Sequence, residues 1–247
     1  MKSLITVFAF CALLAPALAS ADTEHITRTV PLASDGSVRL KTFSGRVTIT
    51  AADVNEVTVD AVRRAPSDRL RRITLDVHAE GSTVVIDANH HEPSWFDMHS
   101  DVVETDLDIK VPRRTSLDVT TFSAPVTVEG VEGTYKVHGF SSRIRLSNAT
   151  GSVRAHTFSG SVEIQAARWL ERESIDVDTF SGNVELRIPG DARGAVTFNS
   201  FSGRIDSTLP LTMRSSNRRS VRAELGGTGS GGDLRIKTFS GSLHIDR

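Results

Sequence analysis

The chain has 247 residues, with 29 basic and 30 acidic side chains and one cysteine, Cys11. Charge this evenly balanced excludes strong attraction to nucleic acid or a membrane surface through net charge. A lone cysteine near the N-terminus leaves the rest without disulfides, thiol chemistry or a Cys-ligated metal.

Residues 1–21 read as a secretory signal peptide. Lys2 supplies the positive start, an apolar run extends from Leu4 to Leu18, and Ala19-Ser20-Ala21 makes a small-x-small cleavage site. The expected cut lies before Asp22, with a cut after Ala19 as the alternative. Phe8-Ala9-Phe10 before Cys11 departs from a lipobox, so lipidation is not expected. The run is short for a membrane anchor and no second run reaches membrane length, so no transmembrane segment is expected in the mature chain. That chain, roughly 226 residues, is long enough to bury a sizeable core.

From Asp22 onward a single domain is expected, less regular over 22–115 and regular over 116–247. Val30 to Ile49 reads as a first coil that caps the stack. Apolar alternation at Val57-Val59-Ala61, Ile73-Leu75-Val77, Val84-Ile86 and Leu107-Ile109-Val111 predicts half-buried strands. Pro93 to Asp101, with Trp95 and Phe96, reads as an irregular excursion. Leu211 to Gly232 reads as mostly loop around a strand at Val221 to Leu225.

The regular part is built on one phrase. It stands at Thr42-Phe43-Ser44-Gly45, Thr121-Phe122-Ser123-Ala124, Gly139-Phe140-Ser141-Ser142, Thr157-Phe158-Ser159-Gly160, Thr179-Phe180-Ser181-Gly182, Ser200-Phe201-Ser202-Gly203 and Thr238-Phe239-Ser240-Gly241. Its phenylalanines are separated by 79, 18, 18, 22, 21 and 38 residues. The middle values set a period near 20, and 38 and 79 read as two and four periods with the phrase lost between. Apolar residues alternate before the phrase, as at Ile175 and Val177, and after it, as at Val184 and Leu186. Each repeat is therefore strand, corner, strand and return turn, with the next repeat as parallel partner. The fold class expected is all-β: a single-stranded parallel β-helix, or β-solenoid, of about 20 residues per coil around one continuous core.

Parity along Ile175, Val177, Thr179 and Ser181 puts Thr and Ser inside and Phe outside. The phase then slips near the glycine, so Gly45, Gly160, Gly182, Gly203 and Gly241 are the expected structural corners, where positive φ or a bulge is tolerated. The outward row is Phe43, Phe122, Phe140, Phe158, Phe180, Phe201 and Phe239. Two readings fit it: rings that stack on neighbouring coils and stiffen the corner, or an apolar stripe that docks a partner or glycan.

Other constellations carry less. Gly227-Thr228-Gly229-Ser230-Gly231-Gly232 matches a dinucleotide phrase, but a strand rather than a helix follows it, so it reads as a loop. His90, His91, Glu92, Asp97, His99 and Asp101 contain metal-ligand types but flank the excursion and read as solvated. Glu104, Asp106 and Asp108 fit the polar side of a strand better than a calcium site. Asn148-Ala149-Thr150, formally a glycosylation sequon, is without meaning here. Neither a metal nor another cofactor is expected. Arg63, Arg64, Arg69, Arg71 and Arg72, like Arg214, Arg218, Arg219 and Arg222, read as exposed loop charge that also suits an anionic polymer. Beyond the corner, Arg46, Arg143 and Arg204 form one outward row, and Arg145, Glu163, Glu185, Asp206 and His244 a second. Glu163 and Glu185 would be neighbours, which is the motive for an enzymatic alternative acting on polysaccharide. No Ser-His-Asp set can be assembled from serines that face inward.

The stretch VPRRTSLDVTTFSAPVTVEGVEGTYKVHGFSSRIRLSNATGSVRAHTFSGSVEI and the ending GGTGSGGDLRIKTFSGSLHI resemble the bacterial exported putative-adhesin family, a domain of unknown function. The resemblance runs from about Val38 to Ile245 and implies a right-handed parallel β-helix in the cell envelope, periplasmic or extracellular. It transfers no catalytic residue, and this chain departs from it by carrying Phe at a position the family fills with small or polar residues. The function expected is a non-catalytic binding or scaffolding module whose partner is an envelope polymer, a glycan or a protein. A polysaccharide lyase or hydrolase and an envelope-stress accessory are the alternatives.

Overall fold

The computed structural model describes residues 21–91, 102–227 and 231–247. The expected leader with Cys11, the excursion with Trp95 and Phe96, residues Glu92, Asp97, His99 and Asp101 of the polar cluster, and Thr228 to Ser230 of the glycine-rich stretch lie outside these residues.

The chain is all-β. The first strands are β1 (Asp22–Pro31), β2 (Gly36–Ala52), β3 (Glu56–Ala65), β4 (Thr74–Glu80), β5 (Thr83–His90) and β6 (Glu104–Pro112), with one short helix, α1 (Ser67–Arg72), before β4. The middle holds β7 (Thr115–Ser123), β8 (Val126–Glu129), β9 (Tyr135–Gly139), β10 (Ile144–Ala149), β11 (Val153–Ser159) and β12 (Val162–Ala166). Then follow β13 (Ser174–Ser181), β14 (Val184–Arg187), β15 (Gly194–Ser202), β16 (Ile205–Ser207), β17 (Leu211–Ser216), β18 (Ser220–Leu225), β19 (Gly232–Ser240) and β20 (Leu243–Asp246).

These strands build a solenoid-like stack with two main faces that meet at the phrase. Strands before the phrase form the first face: Leu117 pairs with Tyr135, Tyr135 with Val153, and Val153 with Ile175, all parallel. Strands after it form the second, where Val126, Ile144, Val162 and Val184 align in the same way. Alternation in the sequence turns every second side chain inward. Identical positions then superpose into columns such as Leu40, Val119, Val137, Ala155, Val177 and Ile236, all essentially buried. Val and Ile suit this seat because their branched side chains fill the pleat between coils. Tyr135 enters the core with its hydroxyl donating to the Val131 carbonyl, and burial raises its pKa well above the ordinary phenol value.

Stacking order departs from chain order in two places. β19 lies between β13 and β15, and β20 between β14 and β16, so the last coil is inserted beneath the one before it. β15 thus pairs with β19 and not with the preceding repeat. At the other end β2 is not a cap: it sits between β5 and β7 on one face and between β6 and β8 on the other. The intervals of 79 and 38 residues are therefore not runs of coils stacked between Phe43 and Phe122 or between Phe201 and Phe239. In the first interval β5 and β6 add one coil without the phrase on the far side of β2, and β3 and β4, together with β1 from before the interval, make the β1–β3–β6 and β4–β5 antiparallel pairings that close this end. Residues of the second form a β17–β18 hairpin antiparallel to β15, where mostly loop was expected.

Corner geometry corrects the parity argument. Thr179 is buried as expected, but Ser181 is exposed beside Phe180, and the other phrase serines Ser123, Ser141, Ser159, Ser202 and Ser240 are exposed as well. Two consecutive residues face outward, so the phase slips at Phe-Ser, one residue before the glycine. The glycine takes the next inward seat against the backbone of the adjoining coil. A Cβ on Gly182 would lie 2.0 Å from the Gly160 carbonyl oxygen. Gly160, Gly203 and Gly241 face equivalent carbonyl contacts, and Gly45 and Gly160 add positive φ values of 110° and 155°. Close approach rather than left-handed backbone is therefore the common reason for glycine. One coil exchanges the two seats: Gly139 replaces the inward Thr and Ser142 replaces the glycine. The Ser142 hydroxyl fills the vacated space, 2.9 Å from the Thr121 hydroxyl.

Gly182→Ala is expected to lose about 2–4 kcal/mol in chemical denaturation, because the methyl meets main chain that cannot yield. Gly190→Ala, whose Cβ would meet only the end of Arg247 at 3.8 Å, is expected to stay within about 0.5 kcal/mol.

Candidate functional site

All seven phrase phenylalanines lie on the outer edge of the first face, between 40% and 53% exposed. They form one unbroken stack in the order Phe43, Phe122, Phe140, Phe158, Phe180, Phe239, Phe201. Ring centroids are 4.5, 4.8, 5.1, 4.9, 4.8 and 4.9 Å apart along it, and the planes of most pairs lie within 5° of parallel. Sequence separation has no bearing on the contact: Phe43 stacks on Phe122 across 79 residues.

Five interior rings have both faces covered by other rings, so they present only edges to solvent. At one end the Arg219 guanidinium carbon lies 4.6 Å from the Phe201 ring centroid, a cation–π contact that covers the last face. Arg219, read from sequence as loop charge, is thus part of the ladder. The first face also leaves an open groove of about 680 Å³ along Phe43, Phe122, Phe140 and Phe158. Its far wall includes Lys41, Thr120, His138 and His156, and the two imidazoles are 6.2 Å apart. A second hollow of about 400 Å³ lies by Phe201, Phe239 and Arg219.

On the second face Arg145, Glu163, Glu185, His244 and Asp206 occupy one row, as the alternation predicts. Glu163 and Glu185 are register partners, but Glu163 is held between Arg145 and Arg187, at 2.9 Å from each. Partial burial alone would push its carboxyl up. The hydrogen bonds and charge of Arg145, then Arg187, outweigh that and hold it below the usual carboxylate range. A carboxylate so neutralised is a poor proton donor near pH 7, and the pair accounts for itself as charge matching across coils. Glu104 and Asp106 are likewise engaged by Arg64 at 3.4 and 2.8 Å. Among the described residues no group of three His, Cys, Asp or Glu side chains is arranged to hold a metal ion. Arg63 is no loop charge: it is 2% exposed and ion-paired with Glu24 of β1. Arg214 is paired with Glu224.

The fold and this surface define an all-β, solenoid-like protein with an aromatic ladder as its principal apolar feature. The chain belongs to the Toastrack DUF4097 family, whose model matches residues 17–246. A crystal structure described as a "putative cell adhesion protein" from Clostridium sporogenes ATCC 15579 shares the fold at 8% identity and a TM-score of 0.54, over 91% of this chain and 99% of that one. A "putative adhesin" from Bacteroides fragilis NCTC 9343 aligns over 90% and 97% at 12% identity, with a TM-score of 0.32. No curated protein is significantly similar to the chain. Among the described residues no helix is long and apolar enough to cross a membrane.

Each ring–ring contact contributes about 0.5–1.5 kcal/mol beyond area burial. Phe158→Leu, which removes two contacts, is therefore expected to cost about twice as much as Phe43→Leu, which removes one. Denaturant titration of both variants checks this. For Glu163 the sign follows from a depressed folded-state pKa. Its contribution is present above the unfolded-state pKa and is lost as pH falls through the folded-state value. Glu163→Gln is expected to be less stable than the parent at pH 7, with the difference closing as the medium is acidified below the carboxylate range.

Proposed function

We propose that this protein is an exported, non-catalytic binding or scaffolding module of the bacterial cell envelope, folded as one domain after removal of residues 1–21. The observation that carries the reading is the exposed seven-ring ladder. An apolar stripe of this length is costly on an isolated soluble surface and repays its exposure when a partner covers it. The leader-like N-terminus supports export, and the adhesion-related descriptions of fold relatives accord with a binding role. Winding in a single hand as a parallel β-helix, right-handed as in the family it resembles, accords with the stacked parallel strands.

The ladder also narrows the partner. Sugars stack through C–H groups on aromatic faces, but here the interior faces are taken by neighbouring rings. What remains is a row of ring edges beside a groove, better suited to an apolar or side-chain-bearing protein surface than to a glycan laid flat. The enzymatic alternative has no comparable support, since Glu163 is engaged by two arginines.

The test is retention of the purified protein on an array of envelope polymers, glycans and the immobilised protein itself, with released sugars assayed in the same wells. Retention without cleavage is expected, and it should vanish when Phe122, Phe158 and Phe180 are changed together to Ser. Cleavage of any polymer, or retention unchanged in that triple variant, would overturn the reading.

A further inference from the structure

Two outward rows on the first face run alongside the ladder. In stacking order the nearer row is Asp87, Lys41, Thr120, His138, His156, Asp178, Lys237. The farther row is Val85, Arg39, Asp118, Lys136, Arg154, Asp176, Arg235. Both rows share a property that chain order conceals: read backwards, each presents the opposite charge at almost every charged position.

This matters for one operation. Consider a second copy turned over about a two-fold axis that lies in this face, at right angles to the stack, through the coil of Phe140. The operation keeps each row on itself and reverses its direction. Asp87 then meets Lys237, Lys41 meets Asp178, Arg39 meets Asp176 and Asp118 meets Arg154, and each pair occurs twice. Lys136 meets its own image on the axis, the one like-charged meeting. Phe43 to Phe180 of one ladder lie against Phe180 to Phe43 of the other, ring edge to ring edge.

A shift of one coil destroys the match. With the axis moved toward Phe158, Lys41 faces Lys237, Arg39 faces Arg235, Asp118 faces Asp176 and Lys136 faces Arg154. Moved toward Phe122, Asp87 faces Asp178 and Arg39 faces Arg154. Two rows thus favour the register centred on Phe140: like-charge meetings reject the one-coil shifts, and the register centred on Phe158 keeps only two of these opposite-charge pairings, Asp118 with Arg235 and Lys136 with Asp176, against four. Area is compatible as well. Seven coils at roughly 4.8 Å and three rows spaced by two residues cover about 30 by 20 Å. That is about 600 Å² on each partner, at the lower end of specific interfaces.

We infer that the partner of the ladder face is a second copy of this chain, bound antiparallel in the register centred on Phe140. The inference rests on the binding role proposed above and names its partner. The plain alternative is that these charges serve only their own stack, as Lys237 and Asp178 do at 3.7 Å.

Sedimentation equilibrium of the purified protein separates the two. A dimer is expected, and Asp178→Lys or Lys41→Asp alone should raise its Kd about tenfold or more. Combining the two substitutions should restore dimerisation, because positions 41 and 178 face one another across the axis. The alternative predicts no dimer, and in denaturant titration a double variant less stable than either single one, because both positions then carry the charge of their own neighbours, Asp87 and Lys237. A protein that stays monomeric at the highest soluble concentration, or a dimer indifferent to both single changes, would overturn the inference. If the monomeric protein is still retained on the array, and the triple Phe variant is not, the binding role stands and only the self-partner falls.

Discussion

The axial spacing of hydrogen-bonded strands, about 4.8 Å, governs everything in this molecule. Main-chain bonds such as Ser141 N–H to the Phe122 carbonyl and Ser159 N–H to the Phe140 carbonyl, both 2.8 Å, lock each corner onto the next. Any side chain repeated at one position must then form a column at that spacing. Apolar columns become the core, the glycine column becomes a backbone seam, and the phenylalanine column becomes the ladder. Aromatic carbons touch at about 3.5–4.0 Å, less than the spacing on offer. Parallel rings with centroids near 4.8 Å apart make van der Waals contact only when offset, which is the arrangement their quadrupoles favour. Phenylalanine is thus commensurate with this backbone, and the ladder stiffens the corner whether or not it is covered.

Much of this can be read from the residues, and the failures are instructive. Alternation around Val177 and Val184 marks two strands, and the repeated Phe marks an outward column, because local parity depends only on the chain. Stacking order is not local. Nothing within GGDLRIKTFSGSLHI says that it belongs between β13 and β15 rather than beyond β15, since all phrase coils carry interchangeable columns. Counting periods fails for the same reason at Phe43. Its partner is chosen by shape and register, and most of the 78 residues between them fold against the end of the stack. The serine parity fails because two outward residues in succession are a property of the corner, which an alternation count cannot contain. The Gly139 and Ser142 exchange could have been noticed as a compensating pair, a small residue gained where another is lost three positions later.

The surface shows the same division. Glu163 and Glu185 are neighbours as the repeat predicts, but what Glu163 does is decided by Arg145 and Arg187 on the coils to either side. Arg219 lies far from the phrase in sequence character and ends the ladder. Arg63 looks like a member of a basic run and is buried against Glu24. In each case residue type and spacing are visible in the chain, and the partner that assigns the role comes from another coil.

Insertion of β19 and β20 has a consequence for how the molecule can be assembled. In a stacked array each coil is stabilised by the two it touches. Here, among the described residues, the coil of β15 and β16 pairs with the coil of β13 and β14 through β19 and β20. Synthesis proceeds from the N-terminus and exposes domains in that order, so the growing chain first makes a stack ending at β14, with the β15 strand and β17–β18 hairpin left undocked. Completion waits for the final segment to slide between two strands already made. The β19–β20 segment therefore acts as a keystone: it is laid after both of its neighbours and bears on each, and its loss would open the joint in the middle of the stack rather than its end.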